Sequence, residues 1–225
     1  QRFDQFCREN DAWLTDFALF MAVKDAHDHV AWTRWPSDIA AREAAAIDSW
    51  SSRLAREIRI CKLTQFLFFD QWARVRGYCH QRSIALLGDL PIFAAHDSAD
   101  VWSHRELFRL DAAGRPVVAA GVPPDYFSAT GQLWGNPIYD WQRLEDTGYA
   151  WWIDRIRAVL ALVDRVRLDH FRGFVASWEV PGDATTAMHG VWKRGPGASL
   201  FQAVQTALGL SPLPFVAENL AVISP

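Results

Sequence analysis

Cysteine is scarce: Cys7, Cys61 and Cys79 are the three in 225 residues. The count is odd and no spacing suits a metal, so neither a disulfide framework nor a thiolate metal centre is expected. Reduced thiols in a cytoplasmic protein fit best. Positive charge is not in excess either. The formal net charge is −3, with both signs mixed along the chain, which argues against the basic stripe of a nucleic-acid surface. No apolar run approaches the roughly 20 residues that span a bilayer, so no membrane contact is expected. Gln1–Asn10 is polar and charged, lacks a secretory pattern, and does not start with methionine. Phe3, Phe6, Trp13 and Phe17 already read as a packed helix, and Ser224 and Pro225 directly follow an apolar strand. A piece of a longer chain, cut at both ends, is therefore expected. His27 and His29 flank Asp28, but nothing completes a ligand set at a recognisable spacing. A solvated helix end is expected there, and no metal or cofactor is expected anywhere.

Aromatic and apolar residues, in contrast, are abundant. Half the chain is hydrophobic and 22% is charged, with 12 Trp and 14 Phe. That is a globular balance. The rings could fill a large core, or line a carbohydrate cleft by stacking on the C–H faces of sugars. Composition leaves both open.

The first 80 residues carry helical spacing. Trp13, Phe17 and Met21 recur every four residues. Trp35-Pro36-Ser37-Asp38 reads as a break followed by an N-cap, residues 38–60 as a second helix, and Thr64–Gln81 as a third. The texture changes at Ile84. The short apolar run from Ile84 to Phe93 reads as a buried strand. Residues 94–146, rich in Gly and Pro, read as a long loop without regular structure. Its aromatic content argues against a flexible linker. A helix is expected over 149–162, a strand over 163–169, loops around Pro181 and around Gly195–Gly197, a helix over 198–208 and a strand over 214–218. Strands alternating with helices point to a parallel α/β arrangement.

Each strand candidate carries a carboxylate toward its C-terminal end: Asp89, Asp169 and Glu218. In a (β/α)8 barrel the active site forms at that end, and an acid is costly to bury unless paired or used. Strand periodicity puts Arg165, Arg167 and Asp169 on one face and Val166 and Leu168 on the other. A cation at Arg167 would keep Asp169 ionised and lower its pKa. The apolar strand before Glu218 would raise that carboxyl's pKa, as a general acid requires. Such a pair across a sugar cleft is what glycosidic-bond cleavage needs. A structural Arg–Asp pair is the alternative reading. Asp140, Asp154 and Asp164 read as surface or capping residues.

The stretches LLGDLPIFAAHDSADVW (86–102), GVPPDYFSATGQLWGNPIYDW (121–141), VDRVRLDHFRGF (163–174) and FVAENLAVISP (215–225) resemble the signature blocks of the 4-α-glucanotransferases, or amylomaltases, glycoside hydrolase family 77. The likeness extends over essentially the whole chain, and the PPDYFS…GQ.WGNP block is absent from related amylases. The resemblance implies an α/β fold, part of a (β/α)8 barrel with a helical insertion subdomain, incomplete at both ends. Residues 1–82 would be the helical insertion and a barrel helix, and residues 83–225 the central barrel with the long loop. It implies Asp169 as nucleophile, Arg167 as its support, Glu218 as acid/base, and Asp89, Tyr126, Phe127, Gln132, Trp134 and His170 as sugar contacts. It implies α-1,4-glucans and maltooligosaccharides as partners, retention of configuration, no cofactor, and a third carboxylate in a block beyond Pro225. The family's EDLG reads here as Glu218-Asn219-Leu220-Ala221. An α-amylase-type hydrolase and a non-catalytic glucan-binding fragment are the rival readings.

Overall fold

The computed structural model describes residues 1–218; Asn219 and Ala221, the departures from EDLG, lie outside the described residues. Five helices come first: α1 (Arg2–Glu9), α2 (Asp11–Ala26), α3 (Ser37–Ala40), α4 (Ala44–Arg53) and α5 (Ala55–His80). α2 buries Leu14, Ala18, Leu19, Phe20, Ala22 and Val23. Phe66 and Phe69 of α5 meet Phe3, Phe6 and Trp13 at ring-centroid distances of 5.4–5.8 Å. The single helix expected over 38–60 is instead interrupted. Arg42 adopts a left-handed φ of +59° after α3, and the backbone turns again at Leu54 between α4 and α5. Good helix formers on both sides concealed these two turns, because propensity averages over a window.

The remaining elements are β1 (Leu87–Pro91), α6 (Ala99–Ser103), β2 (Val118–Val122), β3 (Gln132–Pro137), α7 (Trp141–Asp146), α8 (Ala150–Leu162), β4 (Arg165–Asp169), β5 (Ala176–Pro181), β6 (Val191–Arg194), α9 (Ala198–Leu208) and β7 (Phe215–Ala217). The stretch 94–146 is thus not an irregular loop, since it holds α6, β2, β3 and α7. Likewise the loops expected near Pro181 and Gly195 flank two strands. The reason lies in the pairing. β2, β3, β5 and β6 form an antiparallel sheet in the order β3-β2-β5-β6, and β2 and β5 find each other across some sixty residues of chain. Local periodicity does not carry such a partnership. Several prolines bracket these strands at their ends, where no ladder donor is required.

β1, β4 and β7 form a parallel sheet in the order β1-β4-β7. The described strands do not close into a barrel; β1 and β7 are the edges of this sheet. The fold is mixed α/β, and no helix among the described residues is long and apolar enough to cross a membrane.

Most of the large rings belong to the core. Trp32, Trp102, Trp152, Tyr139 and Phe174 are all below 2% exposed, and burying a side chain of Phe size contributes about 1.5–3 kcal/mol. Trp134, Trp192, Tyr126 and Phe127 are exposed. Two tethers then fix the parallel strands. Trp72 Nε1 donates to Leu162 O at 2.7 Å and Arg76 Nη1 to Ala161 O at 2.9 Å, so α5 supplies donors to the orphan carbonyls that end α8. The Tyr139 hydroxyl donates to Ile92 O and accepts from Arg155 Nη1, both at 2.8 Å, while Arg155 Nη2 donates to Pro91 O. Full burial pushes the Tyr139 phenol up to about 12. That network holds the C-terminal end of β1.

Candidate active site

β4 alternates as its sequence requires, with Val166 and Leu168 buried and Arg167 and Asp169 on the open face. The parallel register sets Asp89 beside Arg167 and Pro91 beside Asp169. On the other side Leu168 lies beside Ala217, and the Glu218 main-chain N–H donates to Leu168 O at 3.1 Å. Three strands therefore deliver three carboxylates around one guanidinium. Asp89 lies two residues short of the end of β1, Asp169 ends β4, and Glu218 follows β7. Arg167 Nη1 donates to both oxygens of Asp89 at 2.8 and 2.7 Å. Its Nη2 donates to Asp169 Oδ1 at 3.0 Å and to Glu218 Oε1 at 2.8 Å. The planar five-donor fork serves three carboxylates at once, one of them through both of its oxygens.

The charges do not balance, and one cation among three carboxylates favours uptake of a proton. Burial, with the adjacent Glu218 carboxylate, raises Asp169 above the usual carboxylate range. Glu218 is lowered, first by the main-chain N–H of His170, which donates to Oε2 at 2.7 Å, and then by its other neighbours including Arg167. This reverses the expectation from the strand sequences. Burial does raise the Glu218 carboxyl, as the apolar run suggests, but its hydrogen bonds outweigh it. Two donors decide its state instead. Arg167 holds Asp169 by a single bond while sharing itself with two other acids. The surroundings, the amide of His170 among them, thus push the two carboxyls in opposite directions.

His170 has a left-handed backbone, φ +50° and ψ +49°. Its ring lies edge-on to Trp134 with centroids 4.8 Å apart. Trp134 Nε1 donates to Gln132 Oε1 at 3.2 Å, and its ring lies 6.3 Å from that of Phe93. So His170 touches Glu218, Trp134 packs on His170, and Gln132 is joined to Trp134. Tyr126 and Phe127 touch each other at 5.6 Å but are 96% and 91% exposed. Their turn is shaped by Asp125 Oδ1, which accepts from the N–H groups of Phe127 and Ser128. An apolar cleft of about 560 Å³, lined by residues such as Phe171, Phe201, Pro212 and Leu213, contains no carboxylate and offers nothing to the chemistry.

Among the described residues no group of three or more His, Cys, Asp or Glu could hold a metal ion. His27 Nδ1 lies 2.8 Å from Val23 O at the end of α2, and His29 lies 3.4 Å from Asp25. Asp140 caps α7 and Asp154 pairs with Arg157 on the surface. Asp164 departs from the capping or surface role expected. It accepts from Leu86 N at 2.8 Å, Arg76 Nη2 at 2.9 Å and His80 Nε2 at 2.8 Å, which holds its carboxyl far below the usual range, the Leu86 N–H contributing most. Sequence reasoning also missed Glu179, 5% exposed, which accepts from Arg109 Nη1 at 2.5 Å; burial raises its pKa. The alternation Ala176-Ser177-Trp178-Glu179-Val180 was the available signal. The main-chain donor of His170 had no signal in the sequence.

The family model for 4-alpha-glucanotransferase matches residues 1–225. The chain is 54% identical to the 4-alpha-glucanotransferase of Synechocystis sp. over 100% of its own length and 45% of that protein. It is 50% identical to that of Thermus thermophilus over 97% of its length and 43% of the relative. An amylomaltase from Streptococcus agalactiae in complex with acarbose superimposes with a TM-score of 0.94 at 40% identity, covering 99% of this chain and 44% of the other. The chain thus spans less than half the length of each of these relatives.

Proposed function

The chain belongs to the 4-alpha-glucanotransferase family, and on that premise we propose that it carries the catalytic carboxylates of an enzyme that transfers α-1,4-glucan segments to the 4-hydroxyl of an acceptor sugar. The observation that carries the proposal is the trio Asp89, Asp169 and Glu218 gathered on Arg167 at strand ends, with His170 bonded to Glu218 and packed on Trp134. Asp169 attacks the anomeric carbon while Glu218 protonates the leaving 4-oxygen. Glu218 then takes a proton from the acceptor hydroxyl as the glycosyl-enzyme is resolved. Asp169 Oδ1 and Glu218 Oε1 both bind one nitrogen, at 3.0 and 2.8 Å, so these oxygens are under about 6 Å apart. That supports retention, which uses close carboxyls, over inversion, which leaves room for a water between them. The acid step needs a proton on Glu218, and the nucleophilic step needs Asp169 ionised. Asp89, Gln132, Trp134 and His170 grip the donor, and Tyr126 and Phe127 close over it.

The parent fold in this reading is a (β/α)8 barrel. Residues 1–82 supply a helical insertion and a barrel helix, and residues 83–225 the central barrel. The three parallel strands with acids at their C-terminal ends support it. Three unpaired cysteines support a reducing compartment such as the cytoplasm. The substrates are α-1,4-glucans and maltooligosaccharides. Maltotriose incubated with the full-length protein should give glucose plus longer maltodextrins. Maltose and glucose alone would instead indicate an α-amylase-type hydrolase, and unchanged substrate with measurable binding a non-catalytic glucan-binding protein.

A further inference from the structure

His170 combines three features that no side-chain contact with a sugar requires. It is a non-glycine residue in the left-handed region, which costs roughly 1–2 kcal/mol unless the surroundings impose it. Its main-chain N–H, turned by that conformation, donates to Glu218 Oε2 at 2.7 Å. Its ring is boxed in: Trp134 lies against one side, and a Cβ placed on Gly173 would stand 3.1 Å from His170 Cδ2 and 2.7 Å from Ile92 Cδ1. Gly173 N also donates to His170 O at 2.9 Å, which closes the turn. The ring thus lies between the aromatic strand β3 and the turn closed by the Gly173 N–H.

We propose that His170 is a positioning residue that acts through its main chain: its ring packs on Trp134, that packing and the Gly173 N–H bond to His170 O hold the left-handed turn, and the turn aims the His170 amide at Glu218. The strand that meets the sugar is thereby coupled to the carboxyl that handles the proton. The inference rests on the glucanotransferase reading above, and it assigns the backbone of His170 a role separate from any contact made by the imidazole.

The test is a substitution series at His170 in the full-length protein, assayed on maltotriose with melting temperature recorded. His170→Gly and His170→Asn remove the ring but accept the left-handed backbone. His170→Val removes the ring and disfavours that backbone. If the backbone matters, kcat of His170→Val falls at least about tenfold below that of His170→Gly and His170→Asn, as loss of one hydrogen bond to a charged group implies, while all three share a similar change in KM. The pH profile separates this from general damage. Around Glu218 stand Arg167 and Asp169 from β4, Asp89 through Arg167, and His170 from the turn. Only the His170 amide differs within the series. Losing it raises the Glu218 pKa, so the limb of the kcat/KM profile that titrates Glu218 moves to higher pH in His170→Val and not in His170→Gly. Equal kcat losses and unshifted limbs in all three variants would overturn the inference. Failure of the unsubstituted protein to disproportionate maltotriose would instead overturn the functional reading.

Discussion

β4 has an ion cluster at each end, and the two are opposites in composition. At its start one carboxylate, Asp164, is served by Arg76, His80 and the Leu86 amide. At its finish one cation, Arg167, serves Asp89, Asp169 and Glu218. The first cluster has donors in excess and its acid is held ionised. The second has acceptors in excess, and one of its acids is pushed toward the protonated form. A surplus of donors closes a structure, because nothing is left wanting. A surplus of carboxylates leaves a site that binds a proton and turns toward a ligand. Clusters of this second kind cost stability where they occur and persist at functional sites.

The largest expected effect would break the comparison if it failed. Asp169→Asn or Glu218→Gln in the full-length protein should lower kcat on maltotriose by about 10³-fold or more. Asp169→Asn should also leave the melting temperature unchanged or higher at neutral pH. A carboxyl whose folded pKa is raised opposes folding when ionised, so removing its charge relieves the protein. A clear fall in melting temperature would place the Arg167 cluster in the same class as that of Asp164.

A smaller effect concerns the surface loop. Tyr126→Ala with Phe127→Ala should reduce the ratio of transfer to hydrolysis by roughly tenfold or less, since water is excluded less well from the glycosyl-enzyme. The melting temperature should hold, because both rings are almost wholly exposed. An unchanged product ratio would remove the loop from the functional side of the molecule.

The smallest effect sharpens the comparison from its other end. Asp164→Asn should leave kcat within about twofold and lower the melting temperature by roughly a few degrees. Its pH dependence has a definite sign. Asp164 is depressed below the ordinary 3.8, so its stabilising contribution is complete above that pH and fades as pH falls toward the folded-state value. Thermal melts of both forms should therefore differ at neutral pH and converge in acid. A difference that persists undiminished in acid would separate Asp164's role from its charge.

Much of this molecule follows from the sequence alone. The early helices come from four-residue apolar spacing, and the inward Val166 and Leu168 and outward Arg167 and Asp169 from the two-residue period of a strand. The grouping of Asp89, Asp169 and Glu218 was legible because each lies at or near the end of a short apolar run, and parallel strands bring such ends together. Only the tertiary structure decided the rest. The antiparallel sheet depends on partners far apart in the chain, so β2, β3, β5 and β6 looked like loops. The proton balance between Asp169 and Glu218 came out reversed because it depends on donors to each carboxylate, and one of these is a backbone amide. That amide points at Glu218 from a left-handed His170 whose ring packs on Trp134 and whose turn is closed by the Gly173 N–H. Period and composition report which face a side chain takes. They do not report who stands opposite it, and the charge state of a carboxyl is set by what stands opposite.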